Sequence, residues 1–202
     1  MADREQRVVN MKVEARATDG QPTKLAGYAA VFNQETIISG YFREKILPGA
    51  FADAITRPDD VRAAFNHSPN LVLGRTTAGT LRLVEDTTGL LYEIDPPDTS
   101  YANDLMVSVA RGDVSQSSFM FEVTKEKWTY PAASTGLLPL REISAVILYD
   151  ISPVTYPAYE GTTVSARAMV LKDERPAESL SVPVDHAAGH LSALLDLDEA
   201  GG

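Results

Sequence analysis

The chain has 202 residues, 44% of them hydrophobic and 23% charged, with a formal net charge of −10 and no cysteine. That length suits one domain with a sizeable core and a tail left over, and argues against two full domains. The acidic balance disfavours a nucleic-acid partner, which needs clustered Lys and Arg to neutralise phosphate, and the missing thiols exclude a disulfide framework, a cysteine nucleophile and a thiolate metal site.

The first ten residues, MADREQRVVN, are charged and lack the apolar stretch of a secretory signal, and no later run is long enough to cross a bilayer, so the expected location is the cytoplasm with no membrane partner. Met11, Val13 and Ala15 alternate, Asp19-Gly20 suits a turn, and the small and apolar run Leu25 to Phe32 follows, which together predict an opening hairpin. In LPGAFADAITRP, Phe51, Ala54 and Ile55 have helical spacing and Pro58 ends the helix. Strands are expected at VRAAFN, TLRLVE and LLYEID, the last two joined by a tight Asp86-Thr87-Thr88-Gly89 loop. A second helix is predicted from the cap candidates Asp98, Thr99 and Ser100, from Leu105 and Val109 at i,i+4, and from Gly112 at its end.

The next segment, VSQSSFMFEV, returns to period two, with Phe119, Phe121 and Val123 on one face and Gln116, Ser118, Met120 and Glu122 on the other. After an irregular PAASTGLLP loop, REISAVILYDISPV reads as a long buried strand, which Pro153 and Pro157 bring to a close. The domain is expected to span residues 1–167. Residues 168–202 read as a polar linker and a tail in which Leu191, Leu194 and Leu195 share one face of a short amphipathic helix.

Within the expected domain the one histidine is His67, in FNHSPN at a strand end, a placement that suits a general base and equally a loop histidine making a local hydrogen bond. Ser115, Ser117 and Ser118 crowd one strand. A serine nucleophile needs a neighbouring base, and the same crowding fits a polar edge facing water. If the aromatic face packs inward, Ser115 and Ser117 point with it and Ser118 points to the other surface, within reach of a substrate. Asp150 could orient an imidazole or form a turn. There is no H-E-x-x-H, and His186 and His190 lie in the tail, so no metal is expected; no glycine-rich phosphate loop or dinucleotide fingerprint is present, so no cofactor is expected either.

Taken in order, GYAAVFNQ, ILPGAFADAI, FNHSPNLVLGRTTAGTLRLVEDTTGLLYEID, ARGDVSQSSFMFEV and LYDISPVTYPAY resemble the prohead protease family of HK97-like phages over roughly residues 25–165. The resemblance implies a mainly β fold with peripheral helices, related to herpesvirus assemblin, with a closed antiparallel β-barrel. It implies a serine endopeptidase enclosed in the immature capsid (prohead) in the bacterial cytoplasm. There it would cleave the scaffolding segment of the major capsid protein, and itself, with a homodimer as the suggested assembly. The family's histidine falls on His67 and its serine, before the F-x-F pattern, on Ser118. Its acidic residue, often Glu, falls on Asp150, where the shorter side chain leaves a Ser-His dyad open as an alternative. A second alternative is an inactive scaffold-associated assembly protein with the same fold.

Overall fold

The computed structural model describes residues 4–9, 11–16, 24–56 and 60–156. The strands run in chain order as β1 (Glu5–Val9), β2 (Glu14–Arg16), β3 (Lys24–Val31), β4 (Thr36–Ile38), β5 (Phe42–Ile46), β6 (Arg62–Ala64), β7 (Val72–Arg75), β8 (Leu81–Glu85), β9 (Gly89–Ile94), β10 (Gln116–Thr129) and β11 (Leu140–Val154). Two α-helices accompany them, α1 (Ala52–Thr56) and α2 (Ser100–Arg111). Among the described residues β1-β10-β11-β5-β4 form the main path of a seven-stranded sheet, to which β6 joins at β11 and β7 at β6, while β2-β3-β9-β8 form a four-stranded sheet.

The expected hairpins are present. β2 pairs antiparallel with β3. β8 pairs with β9 through a turn in which Asp86 Oδ1 accepts the Thr88 and Gly89 N–H groups at 2.7 and 3.0 Å, the local bonding that makes Asp a turn residue. α2 starts after Thr99, buries Ala102, Leu105 and Val109, and stops at Gly112, whose φ of 86° is the left-handed conformation that glycine adopts without penalty.

The architecture is mainly β with helices, as expected, but the expected barrel is not traced by the pairing: among the described residues the seven-stranded sheet ends at β1, β4 and β7 and the four-stranded sheet at β2 and β8. The sheets are instead stitched at two corners. Phe32, just past β3, bridges to Ile46 at the end of β5, and the Val13 N–H donates to the Ser115 carbonyl at 3.2 Å. Between the sheets lies a core built on Phe51, Phe119, Phe121, Leu25, Leu90, Tyr92, Ile94, Ile143 and Ile151. Phe119 and Phe121 stack at 4.8 Å and Phe51 meets Phe119 edge-on at 5.8 Å, and burying each such ring stabilises by about 1.5–3 kcal/mol. The tail read as linker and helix lies outside the described residues, as does any domain boundary at residue 167.

Candidate active site

Strand β10 separates its serines as period two requires. Ser117 shares the face of Phe119 and Phe121, is fully buried, and its Oγ meets the Tyr92 hydroxyl at 2.8 Å. Gly27 on β3 makes room for that tyrosine, since a Cβ there would stand 2.9 Å from the Tyr92 oxygen. Burial pushes the Tyr92 hydroxyl pKa well above the usual tyrosine value, with the Ser117 contact acting in the opposite sense. Ser117 is thus committed to the core.

Ser118 faces the other side. It pairs across the ladder with Val8 on β1 and with Ser152 on β11, so Ser118 and Ser152 share one face at the spacing of a directly opposed pair, about 5 Å between Cβ atoms. The face was expected, but its accessibility was not: Ser118 is fully buried. Gln6, diagonal to it on β1, donates Nε2–H to Ser118 Oγ at 3.1 Å. The expectation of a solvent-reachable serine fails because β1, which carries this cover, is not among the strands read from the sequence.

Strand β11 brings Asp150 to the same face by an irregularity. Asp150 pairs with Met120 and Leu148 with Phe121, leaving Tyr149 as an extra residue. Simple alternation would put Leu148 and Asp150 on one side. The bulge sends Leu148 into the core and Asp150 to the face that holds Ser152 and Ser118.

His67 arrives from β6, which runs parallel to β11 with Arg62 beside Asp150 and Ala63 beside Ile151. The chain then turns through Phe65–His67, where Asn66 and His67 hold φ values of 53° and 56°. Asn and His are among the non-glycine residues most often found there, and each such residue costs about 1–3 kcal/mol that its surroundings must offset. The offset comes from the end of β11. The Asn66 side-chain oxygen accepts from the Thr155 N–H at 2.9 Å and from its hydroxyl at 3.3 Å, and the His67 N–H donates to Ser152 Oγ at 3.2 Å.

The imidazole closes on Asp150, with Nδ1 hydrogen-bonded to Oδ1. A carboxylate only accepts, so with Asp150 ionised the bond requires the proton on Nδ1, and in the neutral ring Nε2 is then the basic nitrogen. His67 Nε2 is buried without a hydrogen-bond partner among the described residues. The Ser152 hydroxyl donates to the same Asp150 oxygen at 2.8 Å. Both side chains keep slight exposure, 13% for His67 and 15% for Asp150.

The structure therefore joins two of the three predicted residues directly, His67 and Asp150, and sets Ser118 one strand away, opposite Ser152, with its oxygen engaged by Gln6 rather than by the imidazole. Ser152 and Gln6 were missed. Ser152 had a signal, since it lies two residues beyond Asp150 at strand period; Gln6 had none. Among the described residues no group of His, Asp and Glu is arranged to hold a metal, and no helix is long and apolar enough to cross a membrane.

A part-buried carboxylate–imidazole pair with a free Nε2, and a buried serine on the adjacent strand, are the residue types that acyl transfer by a serine nucleophile calls for. Comparison with known families agrees at that level. The family of caudovirus prohead serine proteases matches residues 10–175, and the chain belongs to it. No match is found among curated proteins or solved structures.

Proposed function

We propose that this member of the family is an active endopeptidase that cleaves the scaffolding segment of the major capsid protein, and itself, within the prohead. In this reading Ser118 is the nucleophile, His67 the general base and Asp150 the residue that orients and charge-stabilises the imidazole. The observation that carries the reading is the bond between Asp150 and His67 Nδ1, which leaves Nε2 buried and unpartnered among the described residues, on the side of the sheet that Ser118 shares.

Attack begins when Ser118 releases its hydrogen bond from Gln6 and turns its hydroxyl to His67 Nε2. The imidazole accepts the proton as Oγ bonds to the scissile carbonyl carbon, then passes it to the leaving amine as the C–N bond breaks. Water repeats the sequence on the acyl-enzyme and restores the serine. Asp150 remains ionised throughout and stabilises the imidazolium formed midway. Resting serine sites commonly hold the nucleophile–base contact long and shorten it only with substrate present.

The full burial of Ser118 beneath Gln6 also favours a second reading, an assembly protein that keeps the fold without turnover. One experiment separates the two. The full-length chain is co-expressed with its capsid protein and both are weighed intact by mass spectrometry. Two capsid-protein fragments with the wild type and an uncut protein with Ser118→Ala support the protease. An uncut capsid protein with the wild type supports the assembly protein, and cutting that persists in Ser118→Ala removes Ser118 from the mechanism.

A further inference from the structure

We propose that Ser152 is a positioning residue for this site, the group that fixes the imidazole and its carboxylate to one another; the inference rests on the assignment of Ser118, His67 and Asp150 as the catalytic residues. Ser152 is fully buried and sits opposite Ser118 on the same sheet face. A serine hydroxyl has one hydrogen to give and two lone pairs to receive. Here the hydrogen goes to Asp150 Oδ1 at 2.8 Å and a lone pair takes the His67 N–H at 3.2 Å.

These two bonds close a ring. Asp150 Oδ1 holds the His67 side chain, Ser152 holds the His67 backbone, and Ser152 holds Asp150 Oδ1. The ring matters because the His67 backbone sits in the left-handed region, directly after Asn66 in the same conformation. Without the Ser152 oxygen the N–H is left in a nearly closed environment and the turn loses one of its ties to β11, with the Asn66–Thr155 bonds remaining. Without the Ser152 hydrogen, Asp150 Oδ1 keeps the imidazole as its remaining side-chain partner, and the carboxylate loses one of the two side-chain bonds that orient it. Both losses act on where Nε2 stands, and an ångström of misplacement is enough to slow a proton transfer strongly.

A buried hydroxyl that merely satisfied the backbone would affect stability alone, so the test reads the imidazole. Full-length wild type, Ser152→Ala and Ser152→Thr are compared in three measurements. These are the rate at which a fluorophosphonate labels Ser118, the downfield proton resonance of the His67 Nδ1–H, and the thermal midpoint. Ser152→Ala is expected to lower the labelling rate by roughly 10- to 100-fold and to shift or broaden that resonance, while Ser152→Thr, which keeps the hydroxyl, restores both. A wild-type labelling rate in Ser152→Ala overturns the inference, and so does a slower rate with an unmoved resonance. If Ser152→Ala does not fold, Ser152→Cys carries the test, having nearly the same volume but a weak donor. It must label more slowly than Ser152→Thr, and equal rates overturn the proposal. Label found elsewhere than on Ser118 in the wild type overturns the nucleophile assignment and this inference with it. A labelled Ser118 that is indifferent to Ser152 overturns this inference alone.

Discussion

The β1-β10-β11 ladder carries two buried polar clusters, one on each face, and they are finished differently. On the face of Phe119 and Phe121, Arg141 is fully buried and bonds Glu5 at 2.7 and 2.8 Å, Glu44 at 2.8 Å and Glu126 at 2.6 Å. Arg7 adds bonds to Glu44 at 2.6 Å and Glu5 at 2.7 Å. Burial alone would lower the Arg141 pKa, but the three carboxylates outweigh it and hold the guanidinium above its ordinary range; Arg7 is raised in the same way, against burial, chiefly by Glu44. On the opposite face, His67, Asp150, Ser152 and Ser118 also sit close together, yet His67 Nε2 has no partner among the described residues. A closed network ties four strands in register. The open one leaves a ring nitrogen unpartnered, as the proposed role of His67 as a base requires.

The sharpest way to break that contrast is Asp150→Asn. The substitution removes the carboxylate that sets the imidazole tautomer, and fluorophosphonate labelling at Ser118 is expected to slow by about 10³- to 10⁴-fold, with the thermal midpoint little changed. A loss under about threefold would make the site a dyad and Asp150 a structural residue. The opposite cluster should answer in stability instead. Arg141→Ala removes one of the two guanidinium groups that face the buried carboxylates of Glu5 and Glu44, leaving Arg7 alone to offset their charge, and is expected to cost about 3–5 kcal/mol in denaturant unfolding, while the labelling rate per folded molecule holds. If that rate falls with stability, the two clusters are coupled and the division of labour is wrong.

The strands missed in the sequence teach the same division. The hairpin β8–β9 and helix α2 were legible because their signals are local: alternation with an Asp-x-x-Gly turn, and an i,i+4 apolar pair ending in glycine. β1 and β5 were not, because their inward positions carry charge. In EQRVV the buried residue is Glu5, and in FREKI it is Glu44 between Phe42 and Ile46. Both are balanced by Arg141, 136 and 97 residues away, and no window on the sequence sees that far. The site obeys the same rule. The face of Ser118 was readable from β10, but its cover came from unread β1, and the choice between turn former and imidazole partner for Asp150 was made by β6 lying beside β11, 83 residues from His67.

Gln6→Ala is a smaller and more specific probe. It removes one hydrogen bond to Ser118, worth about 0.5–1.5 kcal/mol, so labelling should quicken by roughly two- to tenfold. An unchanged rate would mean that Gln6 does not hold the serine back. Smallest is the acid response of the surface. The carboxyls of Asp95 beside Arg82, Glu93 beside Lys24 and Arg82, Asp60 beside Arg75, and Asp86 beside the Tyr28 hydroxyl all lie below their ordinary values. Folded pKa values below the unfolded ones mean a contribution that is full above the unfolded carboxyl pKa and is lost as pH falls through the folded values. These groups are largely solvated, so the slope of stability below about pH 4 should be shallow and should flatten further in high salt, as tracked by unfolding midpoints.

The extra residue at Tyr149 makes β11 unequal in its tolerance for changes of length. Because Tyr149 has no counterpart on β10, a chain one residue shorter at that point would simply straighten the ladder and leave Asp150 opposite Met120. Losing Ile151 instead would place Asp150 and Ser152 side by side in the strand, on opposite faces. The end of the sheet proposed as the active site is therefore measured from its C-terminal side: one residue can be lost at Tyr149, whereas from Asp150 to Ser152 every residue is counted.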